Sequence, residues 1–172
     1  MNVIIDKIRR IISSSFAALD IMPDKFRRIL LISSGIKIGQ STVIKSKCFF
    51  NSSNVEIGSG CFINRGFEYY DGQMHIPLII KDCVFVGPNC RVVSVSHEIG
   101  FKEARAGTET FGAIKVQNGT WIGEGVTILP GVEISSGCVI GAGSVVTKST
   151  TKNGLYVGVP ARRVKNLSDK AM

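Results

Sequence analysis

The chain has 172 residues, of which 44% are hydrophobic, and this suits one domain of ordinary size with its own core. The formal net charge is +8, and the excess lies at the two ends. Residues 1–32 carry six basic and three acidic side chains, residues 33–147 carry nine of each, and residues 148–172 carry six basic and one acidic. A nucleic-acid-binding protein would charge one broad face and interleave aromatic residues, so the charge distribution argues against that class.

Residues 1–33 are expected to form an N-terminal helical segment. Apolar residues recur there at helical spacing, at Ile4, Ile8, Ile11, Ile12, Phe26, Ile29 and Leu30. This spacing predicts two short amphipathic helices separated near Pro23. We expect them to cover the open end of the following domain or to pack on a neighbouring subunit, and a basic surface that touches an anionic membrane is the alternative. The serines between Ile11 and Leu19 are atypical of a signal peptide, and no stretch has transmembrane length.

From residue 34 onward the aliphatic period changes to six. The anchors of this period are Ile38, Ile44, Phe50, Ile57, Ile63, Ile80, Val86, Val92, Val116, Ile122, Ile128, Ile134, Ile140 and Val146. A helix would repeat every three to four residues and an ordinary half-buried strand every two. Very short strands, each followed by a turn and using six residues with it, keep the same residue facing inward. The period therefore predicts a β-solenoid.

The hexad frame also predicts loops and corners. It slips by one residue after Phe50 and is interrupted between Ile63 and Ile80 and between Val92 and Val116, so loops are expected at about 64–79 and 97–113. Residues four positions after an anchor are usually small, as at Thr42, Cys48, Cys61, Cys90, Ser96, Thr120, Cys138 and Ser144, with Asn54 and Phe67 as exceptions. Small residues suit tight inner corners. Glycines directly after anchors, such as Gly39, Gly58, Gly87, Gly123 and Gly141, are expected to supply unusual turn angles.

The cysteines follow the same frame. Four of the five occupy the corner position, and Cys83 stands one residue before it. The sequence has no C-x-x-C pair. We therefore expect small buried packing residues in a reducing compartment, not disulfides or a zinc site.

Four stretches carry a family resemblance: "VSVSHEIG" (93–100), "TWIGEGVTILPGV" (120–132), "VIGAGSVVTK" (139–148) and "YVGVPARRV" (156–164). With them, residues 36–166 resemble the hexapeptide-repeat acyltransferases, in particular maltose and galactoside acetyltransferases and bacterial polysaccharide O-acetyltransferases. The resemblance implies an all-β fold: a left-handed parallel β-helix over residues 34–150, with N-terminal helices, an extended active-site loop and a basic C-terminal tail over 151–172. It also implies three hexads per triangular coil, a homotrimer with active sites between subunits, acetyl-CoA as acyl-donor cosubstrate and no metal.

The resemblance assigns the general base to His97. A sugar hydroxyl is a poor nucleophile, so a positioned imidazole that removes its proton aids attack on a thioester and can return the proton to the thiolate. A matching position implies that Asn64 helps to place the acceptor, and the loop residue His75 is a weaker candidate for an acceptor contact. Trp121 matches the tryptophan that opens the following coil and is a candidate wall of the pantetheine or acceptor pocket, with an outward aromatic in a subunit contact as the alternative. Glu98 and Glu109 are equal candidates to orient the imidazole. Backbone amides around Gly123 to Gly125 are candidate oxyanion donors.

The acetyl-CoA side of the site is assigned to the end of the chain. The small residues Gly141, Ala142, Gly143 and Ser144 allow a long thin ligand to approach the backbone. The basic cluster for the CoA phosphates comprises Lys148, Arg162, Arg163 and Lys165, together with Thr147. The resemblance matches Arg162 and Lys165 to phosphate-binding residues, and an ordinary solvated basic tail is the alternative.

These features predict a cytoplasmic acetyl-CoA-dependent O-acetyltransferase that acts on a bacterial surface carbohydrate or its precursor, with the inner face of the membrane as an alternative location. A xenobiotic acetyltransferase for streptogramin or chloramphenicol and a non-catalytic scaffold are the other hypotheses. A zinc enzyme of the γ-carbonic anhydrase type needs three imidazoles, and the chain has two histidines. Relatives commonly carry a proline just before the coil that leads to the tryptophan. At that place "TFGAIKV" has Gly112 and Ala113, so the resemblance does not predict the exit geometry of the 97–113 loop or its contacts with the acceptor.

Overall fold

The computed structural model describes residues 17–72 and 74–168. The first predicted N-terminal helix falls largely on residues 1–16 and lies outside this part of the chain. The second is confirmed as helix α1 (Asp24–Ser33), which begins after Pro23. Its inner face carries Arg27 and Leu31, one turn apart, and both are buried against the first coil of the domain. No described helix is both long and apolar enough to cross a bilayer.

The rest of the chain forms three sheets that run along the sides of a triangular prism. Sheet 1 contains, in spatial order, β1 (Lys37–Ile38), β4 (Val55–Ile57), β7 (Leu78–Ile80), β12 (Ile114–Val116) and β15 (Glu133–Ile134). Sheet 3 contains β3 (Phe49–Phe50), β6 (Glu68–Tyr70), β9 (Arg91–Val93), β14 (Thr127–Ile128) and β17 (Val145–Val146). Both sheets are entirely parallel.

Sheet 2 is the longest of the three. It contains β2 (Val43–Ile44), β5 (Phe62–Ile63), β8 (Phe85–Val86), β13 (Trp121–Ile122), β16 (Val139–Ile140), β18 (Gly154–Val157) and β19 (Arg162–Asn166). Its strands are parallel except for the final hairpin of β18 and β19. Through β17 the chain visits sheets 1, 2 and 3 in turn, so one coil uses three hexads and the anchors of each sheet stack inside the prism. The predicted parallel β-helix is therefore confirmed.

The glycines act differently from the prediction. Positive φ angles occur three residues after the anchors, as at Gly125 with φ 65°, and not at the glycines directly after them. At Gly123, one residue after its anchor, a Cβ atom would lie 2.6 Å from the backbone nitrogen of Ala142 in the next coil. The glycines directly after anchors are therefore required by the close approach of successive coils, while the unusual turn angles fall two residues later.

The first predicted loop is shorter than the sequence indicated. Tyr69 is fully buried and pairs in register with the anchors Phe50 and Val92, so the hexad frame continues through an aromatic anchor. The corner before it holds Phe67, whose ring lies 5.5 Å from that of Phe50. A large residue fits this corner because it packs on another ring inside the prism. The loop over 64–79 therefore reduces to residues 71–77.

The other predicted irregular segments contain regular structure. The 97–113 loop is mostly an antiparallel hairpin of β10 (Val95–Ile99) and β11 (Ala106–Phe111), which leaves the corner between sheets 3 and 1. The predicted basic tail is not free, because its residues 154–166 form the hairpin of β18 and β19. Strand β18 pairs with β16 and so covers an edge that would otherwise expose unpaired backbone groups.

Candidate functional site

His97 lies in strand β10 of the exposed hairpin. Its Nδ1 atom is 3.0 Å from the carbonyl oxygen of Gly107, which belongs to the partner strand β11. Because a carbonyl only accepts hydrogen bonds, this contact places the proton on Nδ1 and leaves the Nε2 lone pair available. The imidazole is exposed, so Nε2 can accept a proton from a bound molecule. The hairpin therefore presents an oriented base.

The carboxylates proposed to orient the imidazole do not do so in this structure. Glu109 is directly opposite His97 in the β10–β11 ladder, but the ring nitrogen bonds to the Gly107 carbonyl. Glu98 follows His97 at an irregularity in the β10–β11 ladder, and its carboxylate makes none of the hydrogen bonds described for the imidazole. Both glutamates are exposed. The orienting group is a backbone carbonyl, which sequence reasoning could not identify because every residue has one.

The predicted site residues lie at different corners of the prism. His97, Thr147 and Lys148 belong to the corner between sheets 3 and 1. The corner between sheets 2 and 3 carries Asn64 and the glycine turns, namely Gly123, Gly125, Gly141 and Gly143. Trp121 lies on the outer face of sheet 2, more than half exposed, and pairs with Phe85 of the preceding coil. One chain alone does not gather these groups around one point.

The predicted oxyanion donors are already used within the coils. The Gly123 N–H donates to the Ile140 carbonyl at 2.8 Å, and the Gly125 N–H donates to the Pro88 carbonyl at 2.9 Å. These ladder bonds hold adjacent coils together, and a second acceptor would weaken them. These two amides are therefore engaged in the ladder between coils, and neither is carried further as an oxyanion donor.

The small residues 141–144 divide into structural and accessible groups. Ser144 is buried, and its Oγ accepts the Gly158 N–H at 3.1 Å, so its side chain is engaged within the protein. The Gly141 and Gly143 N–H groups donate to carbonyls of neighbouring coils. The Ala142 N–H has no hydrogen-bond acceptor among the described residues. A Cβ at Gly143 would meet nothing within 4 Å, so open space lies beside the Ala142 N–H.

The basic residues also separate into two groups. Lys148, Arg162 and Lys165 have exposed side chains. Lys148 lies at the corner between sheets 3 and 1, whereas Arg162 and Lys165 lie in β19, where Arg162 donates to the carbonyl of its neighbour Ala161 at 2.9 Å. The Arg163 guanidinium instead donates to the hydroxyl of Thr151 and to the carbonyls of Lys152 and Asn153. It holds the turn that precedes β18. The Arg163 guanidinium is therefore engaged within the protein, and its assignment to cofactor binding stays a prediction.

The acceptor-side candidates are spread over two corners. Asn64 accepts the Arg65 N–H with its Oδ1 atom at 2.8 Å, so its amide is held in place. His75 lies in the 71–77 loop, where Asn54 donates to its carbonyl group, and its exposed side chain makes none of the hydrogen bonds described for the chain. The same loop packs on the hairpin base, because a Cβ at Gly72 would be 3.0 Å from Val95.

Sequence reasoning missed a buried carboxylate beside this loop. Asp71 is fully buried, its N–H donates to Asn51 Oδ1 at 3.2 Å, and it follows Tyr70, whose carbonyl accepts the Ser94 N–H just before β10. An acidic residue at the end of a strand with a buried anchor is the signal that could have found it. Within the described chain, no group of three His, Cys, Asp or Glu side chains is arranged to hold a metal ion.

The chain is similar to known transferases in sequence. Residues 113–148 match the family model described as bacterial transferase hexapeptide (six repeats). Over 134 residues the chain is 31% identical to the galactoside O-acetyltransferase of Escherichia coli, which covers 77% of this chain and 64% of that protein. The chain spans 55 to 64% of the length of the first curated relatives it matches.

Solved structures give the same result over most of the chain. A hexapeptide-repeat acetyltransferase of Vibrio cholerae, complexed with acetyl coenzyme A, superposes with a TM-score of 0.80 at 25% identity and covers 95% of this chain and 89% of its own. A galactoside acetyltransferase in complex with coenzyme A superposes with a TM-score of 0.81 at 26% identity, over 96% of this chain and 82% of its own.

Proposed function

Since the chain belongs to the hexapeptide-repeat transferase family, whose members fold as left-handed parallel β-helices, we propose that it is an acetyl-CoA-dependent O-acetyltransferase. The proposed acceptor is a hydroxyl of a bacterial surface carbohydrate, such as a capsule, exopolysaccharide or O-antigen, or of its precursor. The observation that carries the proposal is the exposed His97 imidazole, whose Nδ1 is bonded to a carbonyl and whose Nε2 is available.

In the proposed reaction His97 acts twice. Nε2 removes the proton of the acceptor hydroxyl as its oxygen attacks the carbonyl carbon of the thioester. The tetrahedral intermediate then collapses, the carbon–sulfur bond breaks, and the imidazolium returns the proton to the CoA thiolate. Throughout, the Gly107 carbonyl stabilises the imidazolium because it accepts the hydrogen bond that Nδ1–H donates. No acyl-enzyme forms, in agreement with the burial of four of the five cysteines.

The residues at the corner between sheets 2 and 3 fit acetyl-CoA. The Ala142 N–H suits a pantetheine carbonyl, and the open space at Gly143 admits a thin chain. Exposed Arg162 and Lys165 suit the CoA phosphates, because charge-assisted bonds from cations to phosphate are strong. When bound, acetyl-CoA supplies the activated acetyl group.

We further propose a homotrimer with its active sites between subunits. The outer faces of sheets 1 and 3 carry charged ladders, for example Lys37 beside Glu56 in sheet 1 and Glu68 beside Arg91 in sheet 3. From β2 to β18 the outer face of sheet 2 is apolar, in the register order Val43, Phe62, Phe85, Trp121, Val139 and Leu155. An apolar stripe of this length favours a protein interface. A heterologous contact repeated around a three-fold axis would bring the hairpin of one subunit to the glycine turns of the next.

One observation favours the second candidate, a xenobiotic O-acetyltransferase. Ile99, two residues after His97, and Phe101 at the hairpin tip are each 87% exposed. Beside the base, these side chains would suit an acceptor with a large apolar part. Streptogramin and chloramphenicol have that character. A lipid-linked carbohydrate precursor also has it, and this keeps the carbohydrate proposal in the leading position.

A panel of acceptors tests these functions directly. CoA thiol release is measured for the wild type and His97→Ala with free sugars, nucleotide sugars, oligosaccharides, chloramphenicol and a streptogramin. We expect acceleration by a carbohydrate and its loss in His97→Ala. Acceleration by the antibiotics alone would establish the second candidate. Full activity of His97→Ala, or no detectable CoA binding by the wild type, would favour a scaffold without catalysis.

A further inference from the structure

Helix α1 has two faces with different surroundings. The inner face covers the first coil, where Leu31 is buried and Arg27 donates to the Ile44 carbonyl. The opposite face and the preceding turn form a surface that we call the N-terminal patch, made of Leu19, Ile21, Phe26, Ile29 and Ile32. The patch lies on the side of the helix opposite to Arg27 and Leu31, and its residue Ile29 also borders a cleft with Val43 of the first coil.

The N-terminal patch is apolar and accessible among the described residues. Ile21 is 89% exposed, Phe26 63% and Ile29 59%, and the cleft that they line with Met22 and Pro23 has a volume of about 360 Å³. A helix that covers an open end needs apolar residues only on its inner face. The outer apolar residues therefore require another explanation, and contiguous exposed patches of this kind mark interaction surfaces.

The acidic side chains around the patch are paired with basic residues, whereas the basic side chain of Lys25 is not paired among the described residues. Asp24 pairs with Arg27 and Lys45 on the inner side of the helix, at 2.6 and 2.5 Å. Asp20 pairs with Lys47 at 3.2 Å. Successive helical residues are rotated by about 100°, which places Lys25 on the outer side with Ile29. Lys25 has no acidic partner in the described part of the chain. The surface that faces outward therefore combines apolar side chains with unneutralised positive charge.

We propose that the N-terminal patch docks on an anionic phospholipid bilayer. Ile21, Phe26 and Ile29 would enter the boundary between headgroups and acyl chains, and Lys25 would bind phosphate groups. A second copy of the chain is the less favourable occupant, because a two-fold contact through this patch would bury two unneutralised Lys25 side chains, one from each copy. This inference goes beyond acetyl transfer and uses none of the residues assigned to it.

Vesicle sedimentation of the full chain tests the proposal. We expect the wild type to sediment with phosphatidylcholine vesicles that contain about one third phosphatidylglycerol, and not with phosphatidylcholine alone. Ile21→Ser with Phe26→Ser should weaken binding at least about tenfold, and Lys25→Glu should weaken it at low salt. The matched control is Ile99→Ser with Phe101→Ser, an equally exposed apolar pair on the hairpin, which should leave vesicle binding unchanged.

Three results would overturn the proposal: no binding of the wild type to anionic vesicles, equal binding by the Ile21 and Phe26 double variant, or a lower melting temperature or changed oligomer mass of that variant. The last result would mean that the patch is covered by protein. Thiol release with soluble carbohydrates is measured on the same samples. A wild type that is active but does not bind anionic vesicles rejects only the docking surface, and a wild type that binds vesicles but is inactive rejects only the proposed acetyl transfer.

Discussion

The Nδ1 atom of His97 and the carbonyl oxygen of Gly107 lie 3.0 Å apart, across the paired strands of the β10–β11 hairpin. The contact fixes which ring nitrogen carries the proton without using a carboxylate. An imidazole held in this way remains a base at Nε2, and its position depends on the pairing of the hairpin more than on any neighbouring side chain.

This relationship predicts unequal effects of substitutions around the imidazole. His97→Ala should lower kcat by about 10²- to 10⁴-fold, because it removes the general base. Glu98→Gln and Glu109→Gln should each change kcat by less than about threefold, because the Gly107 carbonyl already orients the ring. Thiol-release kinetics measure all three variants. A loss in Glu109→Gln as large as that in His97→Ala would show that the carboxylate has the orienting role.

The candidate site residues lie at different corners of the prism. We therefore predict that two inactive variants restore activity when their subunits are combined in one trimer. Ala142→Trp should block the CoA groove, and His97→Ala removes the base, so each variant alone should be inactive. When the two are unfolded, mixed in equal amounts and refolded, random trimers should recover about one quarter of wild-type activity, because each site then combines one subunit's base with another's groove. A mixture as inactive as its components would place the whole site within one chain.

The two neighbouring arginines of β19 should behave differently. Arg162→Ala should raise KM for acetyl-CoA about tenfold with kcat nearly unchanged, because it removes a charge-assisted bond to phosphate. Arg163→Ala should instead lower the melting temperature, because three acceptors of the turn before β18 lose their donor. Kinetics and thermal unfolding of both variants separate the roles. A KM effect confined to Arg163→Ala would reverse the assignment.

Thiol labelling should distinguish one cysteine from the other four. Cys83 is exposed, whereas Cys48, Cys61, Cys90 and Cys138 are buried. Burial raises the pKa of the Cys48 thiol to about 12 and that of Cys90 to about 11, so their thiolates are scarce at neutral pH. We expect one fast-reacting thiol per native chain, absent in Cys83→Ser, and five after denaturation. A second fast thiol in the native protein would contradict the packing of the corners.

Acid should weaken the attachment of helix α1. Hydrogen bonding to Lys45, with a contribution from Arg27, lowers the pKa of Asp24 below its ordinary value of 3.8. Its stabilising contribution is therefore fully present above pH 3.8 and is lost as the pH falls through the lowered pKa. Asp24→Asn should cost about 1 kcal/mol at pH 7 and much less near pH 2, measured by chemical denaturation. The matched control is Asp20→Asn, which should cost less because its partners are exposed. An equal cost at both pH values would contradict the role of this carboxylate.

The repeat was readable in the sequence because its cause is local. Ile122, Ile128, Ile134 and Ile140 each fill the same inward position of a six-residue unit, so the period itself reports burial. The frame failed at Tyr69 because the prediction accepted the aromatic anchor Phe50 but not a tyrosine, whose ring is buried while its hydroxyl donates to the Ile76 carbonyl. The cysteines of the corners were predicted correctly for the same local reason.

The site was less predictable because its chemistry depends on hydrogen bonds between distant residues. The motif identified His97 but not the Gly107 carbonyl, and it assigned Ser144 and Arg163 to a ligand although both are engaged within the protein. The residue type shows which hydrogen-bonding and charged groups a side chain carries. Whether another part of the chain already uses them depends on register and corner geometry.

The sequence by itself determined the six-residue coil, the inward anchors and the small corners, because each depends on side-chain size repeated at fixed spacing, and its motif indicated His97 as the proposed base. The tertiary structure alone decided which ring nitrogen of His97 is available, which amides and cations remain unused, and that the groups of the site lie at separate corners. These properties arise from backbone pairing between coils, and backbone groups are the same in every residue.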